Sequence, residues 1–389
     1  MASAPATIVT GDIAYDSPNS ILNASQKVID MDDRIAELEP NAAPLVVLLK
    51  KLKRVQAIAP KVEWLEHVLM PRYDQLSAAV TAATATSIPV ANATLYRVGD
   101  VLRETATGEA MEVTGVSAGV LGVNRGIGSV VAVTAASGDE LFIVSNVNVE
   151  GASLRTIKTT LVTNLSNFTQ IVRTPMGLTG TEAASKLYGG PDRDRLQAQA
   201  GIEHMRDWEH ICFFGAKKED TATAGAPKRF AGGLQEYIIT NVTGAVGTLT
   251  EAAFITFLRS GFRYGSDRKV LFASPLVVAA IEGFARNNIR VSGSEDHAST
   301  YGIQMRSYVS GQGIVDIVMG RAWNDSTNYR GYAFLVDMDA VEWHYLRDTK
   351  LLENRQANDA DKIEDEYLTE ACPVVHNEQK HALLKGVTG

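Results

Sequence analysis

Residues 191–215 read PDRDRLQAQAGIEHMRDWEHICFFG. This stretch predicts one long helix over 191–214. Pro191 suits a first helical turn, where its missing N–H leaves no bond unmade. Asp192 and Asp194 complement the positive end of the helix dipole. Gly215 suits a stop just past the C-terminus. Ile202, Met205, Trp208 and Cys212 step by three, three and four and mark an apolar face. At 1.5 Å per residue the helix would be roughly 35 Å long, the length of a structural spine.

Upstream of the spine the pattern changes. Residues 81–150 are rich in Val, Thr, Gly and Ala, lack a helical period, and carry turns at Gly99-Asp100, Thr107-Gly108, Ala118-Gly119 and Gly138-Asp139. Short strands at such spacing predict a small β-barrel or sandwich. Arg97, Arg103 and Arg125 stand there against seven acids, leaving −4, half of the chain's net −8. Strands are expected at 61–69, with Trp64 inside, and at 153–162 and 167–174. Residues 1–18 are small and polar and read as an extended arm. Val28, Met31, Ile35 and Leu38 mark a short helix ended by Pro40. Leu45, Leu48, Leu49 and Leu52 mark a second, capped by Asn41, with Lys50, Lys51, Lys53 and Arg54 on its solvent side.

Downstream, 246–344 reads as a mixed α/β unit. Phe254, Phe257, Leu258 and Phe262 mark one helix, 269–273 a buried strand and 275–286 a second helix. Further strands are expected at 303–309, 314–319 and 333–337. The tail returns to extended structure at 363–375 and 382–387.

The chain has 389 residues, 45% hydrophobic and 21% charged, with seven histidines and two cysteines. Those proportions exclude a disordered or collagen-like chain. There is no run of about 18 apolar residues, so no membrane span is expected, and the first residues do not read as a secretory signal. Cys212 and Cys372 are too few for a disulfide framework and read as buried thiols in a protein made in a reducing cytosol. The acidic balance argues against tight, sequence-specific DNA binding.

A search for reaction chemistry finds none. There is no P-loop, no Gly-x-Ser-x-Gly elbow and no His-Glu-x-x-His. His204 and His210 are six apart, on different helix faces. Asp359, Asp361, Glu364, Asp365 and Glu366 read as a solvated or intersubunit face, and Asp296-His297 as a surface loop. The expectation is no catalytic residue, no cofactor and no metal.

The order of parts is an arm, a strand pair carrying an insertion, a spine helix, an α/β unit and a returning strand. It resembles a tailed-bacteriophage major capsid (major head) protein of the Hong Kong 97 type, in the family with an inserted small β-domain. Asp32-Asp33-Arg34-Ile35, Pro40 with Pro44-Leu45, and Glu63-Trp64-Leu65-Glu66 look like the N-terminal block. Val98-Gly99-Asp100 and Val123-Asn124-Arg125-Gly126 look like the small β-domain. Asn167-Phe168-Thr169-Gln170-Ile171, Trp208-Glu209 through Phe214-Gly215, and Arg229-Phe230-x-Gly232-Gly233-Leu234 follow in family order. Leu178-Thr179-Gly180-Thr181 only approximates the family text at the edge of the loop.

The resemblance implies an α+β, HK-97-like capsid fold. An N-terminal arm would cover 1–60, and extended-loop strands 61–80 and 151–185, with 81–150 inserted between them. A peripheral domain would hold 186–245 and 345–389, including the spine, and an axial domain 246–344. It implies a non-catalytic virion protein that self-assembles as pentamers and hexamers into an icosahedral head. The shell would enclose double-stranded DNA without sequence-specific binding, built in the host cytoplasm with no membrane. Other partners would be a portal protein and scaffolding or decoration proteins. The assembly candidates are Glu63, Trp64, Asn167, Gln170, Trp208, Glu209, Arg229 and Gly232. Three rivals remain: an encapsulin-type nanocompartment shell protein, a tail or baseplate protein, and an enzyme with an α/β domain.

Overall fold

The computed structural model describes residues 43–185, 192–222, 225–284, 289–290, 306–324 and 326–388. The expected arm before residue 43, its first helix, Pro191 and the Asp296-His297 segment lie outside the described residues. The chain divides into two units, one of 63–165 and one of the residues before and after it.

In the 63–165 unit, six antiparallel strands run in the order Tyr73–Gln75, Glu140–Asn146, Asp100–Glu104, Ala110–Ser117, Val120–Asn124, Ser87–Pro89. Period-two alternation sets the inside: Leu102, Met111, Val113, Leu121, Val123 and Leu141 all point into one core. The outer strands in that order meet through a bridge between Leu76 and Val90. There Ala91 N donates to Gln75 O at 2.9 Å and Ser77 N to Pro89 O at 3.2 Å. The sheet thus closes into a small barrel with no long free edge. Gly99 turns at φ +84, and a Cβ there would stand 2.7 Å from the Val147 carbonyl oxygen, so only glycine fits.

Two expectations change here. The unit begins before 81, since Tyr73–Gln75, Leu76 and Val80 belong to the barrel. And Asp100, Glu104 and Glu109 are buried, so the local −4 is not all surface charge. Glu109 pairs with Arg125 at 2.6 Å. Glu104 accepts from Ala106 N at 2.8 Å and Thr107 N at 2.6 Å, capping its own turn.

Strand Lys61–Glu66, shorter than the expected 61–69, pairs with strand Thr163–Phe168 as the chain passes between the units. No strand forms over 153–162, contrary to expectation. The expected strand at 167–174 is two, Thr163–Phe168 and Gln170–Thr179, separated at Thr169. The Thr169 N–H turns aside to the Pro60 carbonyl at 2.8 Å.

The other unit carries two sheets. A four-stranded sheet runs Arg54–Gln56, Val341–Leu352, Lys362–Val375, Gln170–Thr179. Strand Val341–Leu352 crosses the expected boundary at 344; its sequence does not announce it, because Arg347, Asp348 and Lys350 break the alternation. A seven-stranded mixed sheet runs Val242–Gly247, Ala382–Val387, Ala333–Val336, Arg268–Ala273, Gly313–Met319, Arg306–Ser310, Ile289–Arg290. The segment expected as one C-terminal piece, 345–389, is therefore shared: 345–375 completes the first sheet and 382–387 joins the second. Helices Glu251–Gly261 and Pro275–Phe284 pack with the seven-stranded sheet through Phe254, Phe257, Leu258, Val277 and Ile281.

The spine helix spans Asp192–Phe214 and packs on strands Gln170–Thr179 and Lys362–Val375. Its buried stripe is Ala200, His204, Trp208 and Cys212, stepping by four, with Glu209 and Phe213 beside it. Of the expected face only Trp208 and Cys212 are fully buried; Ile202 and Met205 are half-buried. Helix Pro44–Leu52 lies against the spine through Leu45, Leu48 and Leu49. It is shorter than expected, since Arg54 already begins a strand. Lys50 is not on a solvent face, being half-buried with its Nζ 2.8 Å from Thr349 Oγ1 and 5.4 Å from the centre of the Trp343 ring.

Candidate assembly site

The root of the N-terminal segment is built around Trp208 and Glu209. Trp208 meets Trp343 edge-on, centroids 5.0 Å apart, inside the core. Glu209 is fully buried, and its carboxylate accepts from Leu45 N at 3.0 Å and Val46 N at 2.9 Å. Those are first-turn amides of Pro44–Leu52, a helix whose own N-cap position, Ala43, offers no side-chain acceptor. A helix leaves its first amides without intrahelical partners. Here a carboxylate 164 residues away supplies the cap. Burial pushes the Glu209 carboxyl up to about 8, against the two amides that favour its charged form.

A polar chain runs beside it through the core. His204 is buried, with Nδ1 2.9 Å from Thr174 Oγ1 and Nε2 2.7 Å from Thr369 Oγ1. Thr369 donates to Thr349 at 2.8 Å, and Lys50 donates to that same hydroxyl. Burial, and then the Lys50 charge, push the imidazole down to about 4 and keep it neutral. Sequence reading missed this role because a lone histidine among apolar positions carries no spacing signal.

Asn167 forms a second node. Its amide nitrogen donates to Gly232 O at 2.9 Å and Pro373 O at 2.7 Å, and its oxygen accepts from Gly232 N and Phe168 N, both at 2.8 Å. Gln170 Oε1 accepts from Ala231 N at 2.9 Å. Asn167 thus holds another candidate, Gly232, and Gln170 holds the residue before it, Ala231, beside the C-terminal end of the spine. At the adjacent Gly233 a Cβ would collide with the Ile211 carbonyl and stand 2.8 Å from Gly215 N. Arg229 pairs with Glu219 at 2.9 Å across the hairpin Lys218–Asp220/Lys228–Phe230. Glu63 accepts from Asn164 at 3.3 Å, and the buried Trp64 donates to Glu66 at 3.0 Å.

Trp208, Glu209 and Asn167 therefore act inside the subunit. Any effect of theirs on a neighbour passes through the elements they fix. The expected acidic face at 359–366 is surface only in part. Asp365 and Glu366 are buried. Asp365 accepts from Arg193 and Gln197 at 2.9 Å, and the Arg193 bond leads the effects that hold its carboxyl down at about 2. Glu366 lies between Arg173 and Arg355.

Exposed large apolar side chains are scattered over both units, Ile58 and Ile239 among them, and two segments of the barrel unit carry several each. One holds Leu65, Val68 and Leu69; the other holds Val149, Leu154, Ile157 and Leu161, with Leu154 88% and Leu161 86% exposed. His67 Nε2 lies 2.8 Å from Thr160 Oγ1 and ties the segments together. Isolated exposed apolar residues are ordinary, but a contiguous band marks a contact surface. Among the described residues, no group of three His, Cys, Asp or Glu side chains could hold a metal ion.

A sequence model of the family described as SU10 major capsid protein matches residues 12–388. The solved capsid of cyanophage A-1(L) aligns over 94% of this chain and 99% of its own, with TM-score 0.52 at 10% identity. The capsid of an empty GTA particle aligns over 96% and 100%, with TM-score 0.50 at 9% identity. An encapsulin complex from Synechococcus elongatus aligns over 58% and 76% at 13% identity, and its TM-score of 0.37 carries no weight. No curated protein matches the sequence significantly.

Proposed function

The chain belongs to the SU10 major capsid protein family, and from that membership we propose how its parts build a shell. It is a major capsid protein, and copies of it form a phage head shell. The observation that carries this is the family match over residues 12–388. The sheet-and-spine fold shared with the cyanophage capsid supports it.

The finer reading is ours. Copies associate as pentamers and hexamers of an icosahedral lattice that encloses double-stranded DNA without sequence-specific contacts. The seven-stranded sheet with its two helices serves as the axial part, and the spine with the four-stranded sheet as the peripheral part. The segments 61–72 and 147–185 form the extended loop, with the barrel inserted between its strands, and their exposed apolar band docks on the next subunit. Residues before 43 lie across a neighbour from a root held by Glu209. Portal, scaffolding and decoration proteins complete the partners, and no step requires catalysis.

Area rather than a single pocket supplies the energy. A standard interface buries about 800 Å² per partner, and symmetry repeats each modest contact around the shell. Electron microscopy of the purified protein tests the reading, with closed icosahedral particles expected. Rings or tubes would assign it to a tail or baseplate, and particles filled with a co-expressed enzyme to a nanocompartment.

A further inference from the structure

The segment 147–162 has an unusual polarity: its apolar side chains face solvent and its cations face inward. Leu154, Ile157 and Leu161 are exposed, whereas Arg155 and Lys158 are half-buried against the barrel. Lys158 Nζ donates to the carbonyls of Thr94, at 2.8 Å, and Tyr96. Arg155 donates to the Val98 carbonyl at 3.1 Å and pairs with Asp100 at 2.6 Å. Arg97 donates back to the Lys158 carbonyl at 2.9 Å. Asp100 is itself fixed by accepting from Arg97 N at 2.7 Å. No strand forms over 147–162, and past the main-chain bond from Val147 N to the Gly99 carbonyl at 2.8 Å, side-chain bonds do the work that a ladder would do elsewhere. A run of carbonyls along residues 94–98, ending in one carboxylate, is a receptor for cations and not for apolar groups. Binding the cations leaves the apolar side chains outward.

We infer that the barrel is a clamp: it holds the returning segment by Arg155 and Lys158 so that Leu154, Ile157 and Leu161 are presented, preordered, to a second copy of this chain. The inference rests on the shell reading above and adds to it a task for the barrel. Preordering matters because a segment that orders only on docking loses conformational entropy at that step, on the order of 1–2 kcal/mol per residue. The occupant is a second copy for reasons of area and continuity. The band of Val149, Leu154, Ile157 and Leu161 joins Leu65, Val68 and Leu69 through the His67–Thr160 contact. Seven such side chains supply on the order of half or more of the ~800 Å² that one partner gives to a stable interface. A shell subunit is surrounded by copies of itself.

The test uses full-length protein, separated by sedimentation into shells and free subunits. In one variant, Arg155→Met with Lys158→Met removes the charges and keeps the stems. In the other, Leu154→Ser with Leu161→Ser keeps the clamp and removes the presented face. Both should cut shell yield at least tenfold with the melting temperature of the free subunit unchanged. Only the first should raise amide exchange across 149–162 in free subunits, by tenfold or more. Arg155→Met and Lys158→Met are also made singly, and a partial loss graded in the same order is expected. Shells at normal yield from the Met variants, or unchanged exchange, would overturn the clamp while leaving the shell reading intact. Failure of the unaltered protein to form shells would overturn the shell reading instead.

Discussion

Glu209 joins two helices by a carboxyl group whose charged form burial disfavours. Its carboxyl titrates near 8 in the folded subunit, against an ordinary 4.5. Between those values the folded state keeps a proton that the unfolded chain has lost, so this group makes stability fall as pH rises from about 4.5 to 8. His204 and the buried His381, whose Nδ1 accepts from Asp337 N at 3.2 Å, act the other way and at lower pH. Burial holds their imidazoles at about 4 and about 3. The unfolded chain then takes protons first, and stability falls as pH drops below about 6.5. Chemical denaturation of the free subunit across pH 5–9, compared with Glu209→Gln, isolates the first effect: the difference between the two should shrink or change sign over that window. Glu209→Ala should raise amide exchange in Pro44–Leu52 ahead of the rest of the subunit. Asn167→Ala is expected to destabilise by about 4 kcal/mol or more, since it strands Gly232 N, Phe168 N and two carbonyls, each costing ~1–3 kcal/mol when buried without a partner. A loss under about 1 kcal/mol in urea titration would show that water replaces the amide.

Among the elements, the spine was legible because a 23-residue helix repeats its signals many times over. Its buried face was legible only in part. Hydrophobic periodicity cannot place His204 or Glu209 inward, because each is buried only through partners 30 to 165 residues away. The same limit hid Val341–Leu352, whose charged residues pair across strands, as Arg347 does with Glu370 at 2.6 Å. Residues 153–162 erred the other way. Leu154, Ile157, Leu161 and Val162 carry the apolar composition of a strand, yet the segment is held by side chains. The order of assembly motifs pointed to the family, while what Asn167 and Gln170 hold became visible only with Gly232 beside them. Close approach at the end of the spine gives a sharp expectation. Gly233→Ala places a methyl against the Ile211 carbonyl, and it should lower the melting temperature by several degrees or prevent folding. A thermal scan showing no shift would mean that the turn relaxes.

For the whole molecule, the root at Glu209 lies among the described residues, outside residues 1–40. Truncating those residues should leave the free subunit's melting temperature within a degree or two and reduce closed shells. Normal shells from the truncated chain would remove the arm from assembly. Deleting 81–150 would leave Tyr73–Gln75, Leu76 and Val80 without the core they fill, so a deletion of 73–146 closed by a short linker should give the more soluble subunit, as fractionation would show. The pairing of Lys61–Glu66 with Thr163–Phe168 has a consequence for evolution and for engineering. The polypeptide departs and returns on adjacent strands, about 4.8 Å apart, so a foreign module whose own termini lie that close can be exchanged for the barrel without changing the spacing of the flanking strands. Lineages sharing this shell could therefore trade such modules freely, provided each newcomer brings its own means of fastening the returning strand.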